Sequence, residues 1–482
     1  MISKESLNRN LLNAEYAVRG PIVIRAQQLE EQGKKIIYCN IGNPQALKQK
    51  PLTYLRQMLS LLEYPDLMTK PDVVHHYPKD IVEKAKFILA KHSPGTGAYS
   101  QSAGIPFIKQ AVADFIQRRD GIPTQRDTII LTDGASKGVQ MALIALLKNP
   151  NDGFMIPIPQ YPLYSASIGL FGAKQIGYFL DEENHWQLSE GILTASIERA
   201  TSGGIHPVAM AVINPGNPTG AVLSRENIEM IVRFAKRHNL TILADEVYQE
   251  NVYDKNSRFH SFAKVMYEIG ETSVSLFSFH SVSKGFLGEC GHRGGYVEFR
   301  NIPDDVLAQL VKLQSISLCA NLPGQFATYL MVSPLQPGDE SYATCVRERD
   351  GILSALKMKA ELLDREINKI EGMSLSIPQG AMYAFVKFEL PPDPRVEISA
   401  MRPEERLAHE SQRDEEYCMA LLEETGICVV PGFGFGELPG TLHFRTTFLP
   451  PLDEIEEFIR QIRKFHLVYV QKLEALYQLS NS

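Results

Sequence analysis

The chain has 482 residues, of which 44% are hydrophobic and 22% charged, as in globular proteins that bury a large core in two or more domains. Its net charge of −7 argues against a nucleic acid or an anionic membrane as the main partner. No apolar stretch approaches the ~20 residues that span a bilayer. The polar start, MISKESLNRN, resembles neither a secretory signal nor a transit peptide, and six scattered cysteines fit reduced thiols. We therefore expect a cytoplasmic protein that binds neither membrane nor nucleic acid.

The first hundred residues combine short helical patterns with one strand-like segment, IIYCNIGNPQ, whose glycine is Gly42. The GNP sequence is first a turn signal, and less often a place where a ligand approaches the backbone. A glycine- and serine-rich segment then leads into a helix with apolar residues at Ile108, Val112 and Ile116. Pro106 suits the first turn of that helix.

Between about residues 127 and 300, strand-like and helical patterns alternate. Near-continuous apolar strands between amphipathic helices are typical of a mostly parallel sheet covered on both faces. In such sheets ligands bind at the carboxyl ends of the strands, where the candidate residues of this region fall. The predicted strands are TIILT, GFMIPIP, PVAMAVIN, LTILAD and SVSLFSFH, and the predicted helices contain MALIALL, residues near 187–200, and ENIEMIVRFAKRH.

The C-terminal part follows a turn-rich boundary, SPLQPGDESY. It begins with a charged helical pattern over 342–370 and continues with strand-like pieces in GAMYAFVKF, GICVV and LHFRTTF. The polar residues 391–415 are predicted to form a surface excursion. The last segment predicts a helix that packs on its own domain, with partner binding as the alternative; its apolar stripe is Ile455, Phe458, Ile459, Ile462 and Phe465.

TDGASKGVQMALIALL has the pattern of a strand end, a small-residue turn and a helix. The backbone N–H groups of Ala135 and Ser136, with the Ser136 hydroxyl, would form an anion site at the helix N-terminus. An ordinary capped helix explains the pattern equally well. The segment has neither the Gly-Lys-Ser/Thr of a P-loop nor the spaced glycines of a dinucleotide fold.

Two further strand ends carry an aromatic and an amide. Tyr161 stands between two prolines after a strand, where it would either stack on a planar ring or serve as an ordinary core or surface tyrosine. VINPGNPTG contains two Asn-Pro steps and two glycines, which favour an unusual backbone, including a cis X-Pro bond, over a plain turn. This loop would present Asn217 as a directional donor.

The strand LTILAD ends in Asp245, and Tyr248 follows three residues later. An acidic residue at this position either caps the next helix or faces a ring nitrogen and holds its proton. Opposite charges ~4 Å apart at an effective dielectric of ~20 interact by about 4 kcal/mol, or about three pKa units. That is enough to keep a pyridine protonated at neutral pH.

SFHSVSKGFLGECGHRGG places Lys284 after a buried strand and Arg293 nine residues later. An ammonium at the end of a core strand is costly unless it is paired or its pKa falls, but such an amine can condense with a carbonyl. A loop lysine beside a surface arginine is the alternative. An anion cradle, an aromatic, an amide, a carboxylate, a phenol, a lysine and an arginine together match what a phosphorylated pyridine aldehyde requires.

With these motifs the chain resembles the class I/II pyridoxal-phosphate-dependent aminotransferases of fold type I. GNP, AYSQSAGIP, NPGNPTG, ADEVY and SVSK…R occur in that family's order, and RGPIVIRA, YCNIGNPQALKQKPLTYLRQ and VVPGFGFG are similar to the alanine aminotransferase branch. The resemblance implies an α/β fold with a mostly parallel central sheet in a large domain and a smaller α+β domain. The large domain would span 91–340, the small domain 341–482, and residues 1–90 would form an N-terminal arm and part of the small domain.

The resemblance also implies roles for individual residues. Lys284 would bind pyridoxal 5′-phosphate covalently and then move a proton between the substrate Cα and the cofactor. Asp245 would hold the pyridinium, Asn217 and Tyr248 would contact the ring hydroxyl, and Tyr161 would stack on the ring. The phosphate would be bound by Ala135, Ser136, Ser281 and Arg293.

Three further implied roles concern the substrate and a second subunit. Tyr99 would reach the phosphate of the neighbouring subunit, which implies a homodimer with shared active sites. Arg445 would clamp the substrate α-carboxylate with its bidentate guanidinium, near Gly42 and Asn217. Arg293 lies one residue further from Lys284 than in many relatives, so the turn between them must bulge.

The resemblance implies a ping-pong amino transfer from L-alanine to 2-oxoglutarate that yields pyruvate and L-glutamate. Some relatives carry arginine where Ser317 stands, so the residue that reads the distal carboxylate stays open. The alternatives are an aminotransferase that uses glyoxylate or another 2-oxo acid, a lyase on the same scaffold, a non-enzymatic regulator and a binding module without catalysis. A regulator of this type carries a basic helix-turn-helix segment, and the sequence has no basic block ahead of Gly42.

Overall fold

The computed structural model describes residues 2–14, 16, 20–393 and 401–480. Its strands are β1 (Ile37–Tyr38), β2 (Ile129–Thr132), β3 (Asp152–Ile158), β4 (Lys174–Phe179), β5 (His206–Ile213), β6 (Thr241–Asp245), β7 (Leu276–Ser281), β8 (Gly295–Arg300), β9 (Met373–Ser374), β10 (Tyr383–Phe388), β11 (Ile427–Cys428), β12 (Val430–Pro431) and β13 (His443–Thr447). Its helices are α1 (Arg9–Asn13), α2 (Pro21–Glu31), α3 (Thr53–Glu63), α4 (Pro71–Val74), α5 (Lys79–Lys91), α6 (Pro106–Asp120), α7 (Ala135–Leu146), α8 (Leu163–Leu170), α9 (Glu190–Ser202), α10 (Arg225–Arg237), α11 (Phe262–Glu268), α12 (Asp304–Ser315), α13 (Leu322–Val332), α14 (Tyr342–Ile367), α15 (Pro403–Thr425) and α16 (Leu452–Ser480). Within the described ranges, no helix is both long and apolar enough to cross a membrane.

The central sheet has seven strands in the order β2-β8-β7-β6-β5-β3-β4. The strands from β7 to β4 pair in parallel, and β8 runs antiparallel to both of its neighbours. The five predicted strands correspond to β2, β3, β5, β6 and β7. The predicted α/β fold with a mostly parallel sheet is therefore confirmed.

The inner strands of this sheet are largely buried on both faces, which explains their near-continuous apolar sequences. In β6, Ile242 and Ala244 pack against α9, α10 and α11, whereas Leu243 packs on the opposite face against α7, α8 and α12. Successive side chains of a strand point to opposite faces, so each layer of helices packs with the sheet in a core of its own.

The sequence analysis missed β4 and β8. β4 lies at the edge of the sheet and begins with two exposed polar residues, so it lacks an apolar run. β8 is buried, but it contains Glu298, a charged residue that is atypical of a core strand. Arg300 of the same strand forms an ion pair with Glu298, although burial outweighs this charge and raises the pKa of the carboxyl.

Helix α6 begins where its sequence predicts. Pro106 occupies the first turn, and Gly121 follows the last turn with φ +72°, donating its N–H to the carbonyl of Gln117. The predicted apolar positions are all buried, namely Ile108, Val112 and Ile116.

A second, antiparallel sheet has the order β12-β13-β10-β9, and β1 pairs in parallel with β11 beside it. One core joins α2 and β1 to α14, α15 and α16, and it buries the apolar stripe predicted for the last helix. Residues of α3 and α5 instead pack with α6, α13 and β2. The first ninety residues thus contribute to two cores, and the domain boundaries at 90 and 340 stay a prediction.

Residues 403–415 of the predicted surface excursion form the first half of α15, and the described side chains from 405 to 415 are mostly exposed or half-buried, with Glu410 and Asp414 as the buried exceptions. Asp414 is buried because its carboxylate accepts hydrogen bonds from the backbone N–H groups of Phe433 and His443. Glu410 accepts in the same way from Gly440 N–H. A polar composition therefore concealed a packed helix whose acidic side chains bind backbone donors. Residues 394–400 lie outside the described part of the chain.

Candidate active site

A cavity of about 450 Å³ lies at the carboxyl ends of the central strands, and Tyr383 and Arg445 of the second sheet complete its wall. Eleven of the twelve residues singled out from the sequence line this one cavity: Gly42, Ala135, Ser136, Tyr161, Asn217, Asp245, Tyr248, Ser281, Lys284, Arg293 and Arg445. The twelfth, Tyr99, is 76% exposed and lies outside it.

Lys284 follows the end of β7, and its Nζ donates a 2.7 Å hydrogen bond to the carbonyl of Gly42. The same Nζ lies 5.9 Å from the centre of the Tyr248 ring. A Cβ at Gly42 would lie 3.2 Å from the amine and 1.7 Å from the phenol oxygen of Tyr383. The absence of a side chain at Gly42 therefore lets the lysine and the tyrosine meet at one point of the backbone.

Asp245 ends β6 and is 5% exposed. Its Oδ2 accepts a 3.1 Å hydrogen bond from the Tyr164 hydroxyl, whereas its Oδ1 has no hydrogen-bond partner among the described residues. Burial raises the pKa of this carboxyl to about 6, although the Tyr164 bond and the charge of Lys284 act in the opposite direction. A buried carboxylate oxygen without a partner, on the wall of a cavity, is suited to a protonated nitrogen of a ligand.

The N-terminus of α7 and Arg293 face the same side of the cavity. Arg293 donates from Nη2 to Ser136 Oγ at 3.2 Å and to the carbonyl of Asp133 at 3.0 Å. Gly134 precedes the helix with φ +78°, and a Cβ there would lie 2.5 Å from Arg293 Nη2. Free N–H groups at a helix N-terminus, a hydroxyl and a guanidinium together form an anion cradle.

The loop between Lys284 and Arg293 contains the predicted bulge. A short 3₁₀ turn over Cys290–His292 precedes Arg293, whose φ of 50° is left-handed. Ser281 Oγ is engaged within this loop, since it donates to the Gly294 carbonyl at 3.2 Å and accepts from Ser283 N–H at 3.0 Å.

Arg445 on β13 is 1% exposed and points into the cavity wall from the second sheet. It donates to Asn217 Oδ1 at 3.2 Å and to the carbonyl of Asn40. Its guanidinium carbon lies 4.3 Å from the centre of the Tyr383 ring, and its Nε has no hydrogen-bond partner within the described ranges. A buried guanidinium without a carboxylate partner is suited to bind the carboxylate of a ligand.

The loop that carries Asn217 has cis peptide bonds at Asn214–Pro215 and Asn217–Pro218, as its sequence indicated. The Tyr161 hydroxyl forms a 2.7 Å hydrogen bond with the Tyr16 hydroxyl, and both rings line the cavity. The cavity therefore combines a lysine, a carboxylate, an anion cradle, an amide and a buried arginine.

Residues 64–462 match the model of the family aminotransferase class I and II. The chain belongs to this family. It is 48% identical to a probable mitochondrial alanine aminotransferase of Dictyostelium discoideum, over 97% of this chain and 89% of that one. It is 45% identical to glutamate–glyoxylate aminotransferase 2 of Arabidopsis thaliana, over 96% of this chain and 95% of that one. The fold is similar to an alanine aminotransferase from Pyrococcus furiosus with a TM-score of 0.75 and 26% identity, over 95% and 99% of the two chains.

These comparisons confirm the predicted family, the fold type and the prediction of an aminotransferase. The match of 399 residues in the family model covers both sheets of this aminotransferase, from residue 64 to residue 462. The roles assigned to single residues stay predictions, which the geometry supports to different degrees.

Tyr383 is the main cavity residue of this aminotransferase that the sequence analysis missed. Its hydroxyl accepts a hydrogen bond from the Tyr248 hydroxyl at 3.3 Å. Burial alone would raise the pKa of the Tyr383 phenol, but the positive charges of Lys284 and Arg445 outweigh it and lower the pKa. The segment GAMYAFVKF was interpreted only as a strand, because its pattern does not indicate which inward side chain reaches the lysine.

Three other polar residues escaped the sequence analysis. The Tyr164 hydroxyl donates a hydrogen bond to Asp245, and Arg293 Nη1 donates to Ser283 Oγ at 3.4 Å. The Tyr16 hydroxyl forms a hydrogen bond with that of Tyr161. Tyr164 lies three residues after Tyr161 and Ser283 lies directly before Lys284, and this proximity was the available signal. Ser317, the open position for distal carboxylate recognition, is exposed and does not line the cavity.

Proposed function

We propose that this aminotransferase uses pyridoxal 5′-phosphate to transfer an amino group reversibly between L-alanine and 2-oxoglutarate, giving pyruvate and L-glutamate. The observation that carries the proposal is that Lys284 and Asp245, whose Oδ1 has no hydrogen-bond partner among the described residues, line one cavity. The names of the Dictyostelium discoideum and Pyrococcus furiosus relatives support alanine as the donor.

The cavity fits this cofactor on two observations. Within the described ranges, Asp245 Oδ1 is a buried acceptor without a partner, which suits a protonated ring nitrogen. The α7 N-terminus and Arg293 form a cradle for a phosphate, and a Cβ at Gly134 would enter it. When bound, pyridoxal phosphate supplies an electron sink that stabilises the negative charge left when Cα loses a proton.

Side chains of the cavity would orient the cofactor and move the protons. Asp245 keeps the proton on the ring nitrogen, since its own charge is stabilised by that proton. Asn217 and Tyr248 would hold the ring hydroxyl, and Tyr161 would cover a face of the ring. Lys284 removes the proton from the substrate Cα and returns one when the amino group is transferred.

Arg445 binds the α-carboxylate that all amino-acid and 2-oxo-acid substrates share. Its fork geometry fixes two oxygens at once, and Tyr383 beneath the guanidinium limits the directions in which it turns. Fixing the carboxylate places Cα beside Lys284, so the proton transfer occurs within an ordered complex.

A second candidate is transfer to glyoxylate. It is favoured by the 45% identity to a glutamate–glyoxylate aminotransferase, close to the 48% identity to the alanine relative. The two candidates share every cavity residue discussed above, and they differ only in the acceptor.

We also propose a homodimer in which Tyr99 completes the site of the other subunit. The support is that this tyrosine is 76% exposed and lies outside its own cavity. A cytoplasmic location remains a prediction from the sequence alone.

The test is a panel of amino donors and 2-oxo acceptors with purified protein saturated with pyridoxal phosphate. We expect pyruvate release from L-alanine and bleaching of the visible absorbance of the protein, with 2-oxoglutarate as the best acceptor. Lys284→Ala should abolish turnover. No pyruvate and no spectral change with L-alanine would refute the donor, and a higher kcat/KM with glyoxylate than with 2-oxoglutarate would select the second candidate.

A further inference from the structure

A row of stacked side chains on one face of the second sheet leads away from the cavity. The Arg445 guanidinium carbon lies 4.3 Å from the centre of the Tyr383 ring and 4.7 Å from that of Phe435. The ring of Phe435 meets that of Phe385 edge-on at 5.9 Å. Phe385 in turn stacks on His443, with the ring centres 4.6 Å apart and the planes 5° from parallel. Arg445 thus stands at one end of the row and His443 at the other.

His443 is held on both of its ring nitrogens. Nδ1 lies 2.9 Å from Glu437 Oε2, and Nε2 lies 3.1 Å from Glu182 Oε1. The ring is 2% exposed, so these carboxyl groups are the polar surroundings that orient it. Glu437 follows the turn that carries Phe435, whereas Glu182 lies in the segment after β4 of the central sheet. The ring therefore connects the two sheets.

The charges around His443 identify Glu182 as the ionised partner. The hydrogen bond from His443 and the charge of Lys387, whose Nζ lies 3.6 Å from Glu182 Oε2, outweigh burial and lower the pKa of Glu182. Burial and the neighbouring Asp414 raise the pKa of Glu437, and Glu410 and Glu182 act in the same direction. With Nε2 protonated, the ring donates to the Glu182 carboxylate, and such charge-assisted hydrogen bonds are stronger than neutral ones.

Trp186 places the same segment directly over the row. Its ring lies 5.9 Å from the centre of Phe385 and 6.1 Å from that of His443. It is 5% exposed, and it is the one tryptophan of the 482-residue sequence. The segment around Glu182 and Trp186 therefore shields the row from water. The fluorescence of the indole should change when the packing of the row changes.

We propose that Glu182 and His443 are positioning residues for the carboxylate clamp. Through Phe385 and Phe435 they fix the Arg445 guanidinium in the orientation that binds the substrate α-carboxylate. The inference rests on the clamp assigned to Arg445 under the proposed function. Since donor and acceptor share the α-carboxylate, loosening the row weakens the binding of both, and it leaves the proton transfer at Lys284 largely intact.

Kinetics of Glu182→Gln test this inference, because the substitution keeps the shape and removes the charge. We expect KM to rise about threefold to tenfold for both L-alanine and 2-oxoglutarate, with kcat within about twofold. Glu183→Gln is the matched control, since this neighbour is exposed and should leave both constants unchanged. A KM equal to that of the control, or a rise for one substrate alone, would overturn the proposal.

Fluorescence of Trp186 gives a readout that does not depend on turnover. Titration of the cofactor-loaded protein with pyruvate, which carries the α-carboxylate but no amino group, should change the emission and yield a Kd. Glu182→Gln should raise this Kd by the same factor as KM. If the unsubstituted protein binds pyruvate and the variant binds it equally well, the positioning role is refuted. If the unsubstituted protein does not bind pyruvate, the clamp itself fails.

A double-substitution cycle separates positioning from a general loss of structure. His443→Gln should raise KM, and adding Glu182→Gln should raise it little further, because both residues act through one contact. Independent, multiplicative effects would contradict the proposal. Circular dichroism of each variant checks that the fold is retained.

Discussion

The phenol oxygen of Tyr383 lies 1.7 Å from the position that a Cβ at Gly42 would occupy. The two residues are 341 positions apart in the sequence, and Lys284 hydrogen-bonds the carbonyl of the same glycine. β10 therefore approaches the segment after β1 this closely because Gly42 has no side chain. The active-site lysine is held at the same point.

Gly42→Ala should disrupt this point of contact. A Cβ 1.7 Å from the phenol oxygen and 3.2 Å from Lys284 Nζ forces both side chains to move. We expect at least a tenfold loss of kcat/KM with a modest loss of stability, on the order of 1–3 kcal/mol. The measurements are steady-state kinetics and thermal unfolding.

Gly351→Ala is the matched control for this substitution. Position 351 lies within α14, and an added Cβ there meets no atom within 4 Å. Alanine in a helix is favoured over glycine by roughly 0.5–1 kcal/mol, so this variant should retain activity and gain stability. The pair Gly42→Ala with Tyr383→Phe should recover part of the loss, because it removes the phenol oxygen. Wild-type kinetics for Gly42→Ala would contradict the contact.

The pKa of Asp245 predicts a pH dependence of the cofactor-free protein. Its pKa is raised from 3.8 to about 6 in the folded state, with burial as the largest cause. The folded state therefore binds this proton more tightly, so unfolding is favoured as pH rises from about 4 to about 6. A difference of about two between the folded and unfolded pKa corresponds to about 3 kcal/mol of stability.

Asp245→Asn isolates this contribution from the other titrating groups. The free energy of unfolding of the cofactor-free protein should fall more steeply between pH 4 and 6 in the wild type than in the variant. Bound cofactor should remove the difference in slope, because a pyridinium nitrogen stabilises the carboxylate. Equal slopes for the two cofactor-free proteins would show that Asp245 does not titrate in this range.

The chemistry of the site could be predicted from the sequence more fully than its packing. Lys284, Asp245 and Asn217 each follow a strand of recognisable pattern, and parallel strands bring their carboxyl ends to one edge. Tyr383 could not be placed in this way, because its position depends on the β10–β13 register and on the approach of Gly42. Both are contacts between distant parts of the chain.

Burial of charged groups explains the other differences between sequence and structure. Glu298 in β8 and Asp414 in α15 interrupt patterns that would otherwise indicate core elements. Each has a local partner, Arg300 for Glu298 and backbone N–H groups for Asp414, although burial still raises the pKa of both carboxyls. Composition alone does not show that these partners are available.

The anion cradle predicts a specific effect of Gly134→Ala. The new Cβ would lie 2.5 Å from Arg293 Nη2, and the φ of +78° adds backbone strain. We expect the variant to lose at least tenfold in affinity for pyridoxal phosphate, measured as the cofactor-to-protein ratio after dialysis against graded cofactor concentrations.

Gly121→Ala carries similar backbone strain without the contact, since its φ is +72° and an added Cβ meets nothing within 4 Å. It should lose about 1 kcal/mol of stability and retain the cofactor. If both variants lost the cofactor to the same extent, backbone strain rather than the displacement of Arg293 would account for the effect at Gly134.

The exposed Tyr99 predicts that two inactive variants restore each other. In a mixed dimer of Lys284→Ala and Tyr99→Ala subunits, the site with an intact lysine receives the intact tyrosine of its partner. Random mixing places half of the subunits in mixed dimers, so about one quarter of the wild-type activity should return. Each variant alone should be at least tenfold less active, and Tyr64→Ala is a control for the loss of an exposed tyrosine. A tyrosine that serves its own subunit would leave the mixture inactive, and one that serves no site would leave Tyr99→Ala fully active on its own. The activity of each variant and the fraction recovered after the two are unfolded and refolded together therefore decide whether the site is shared.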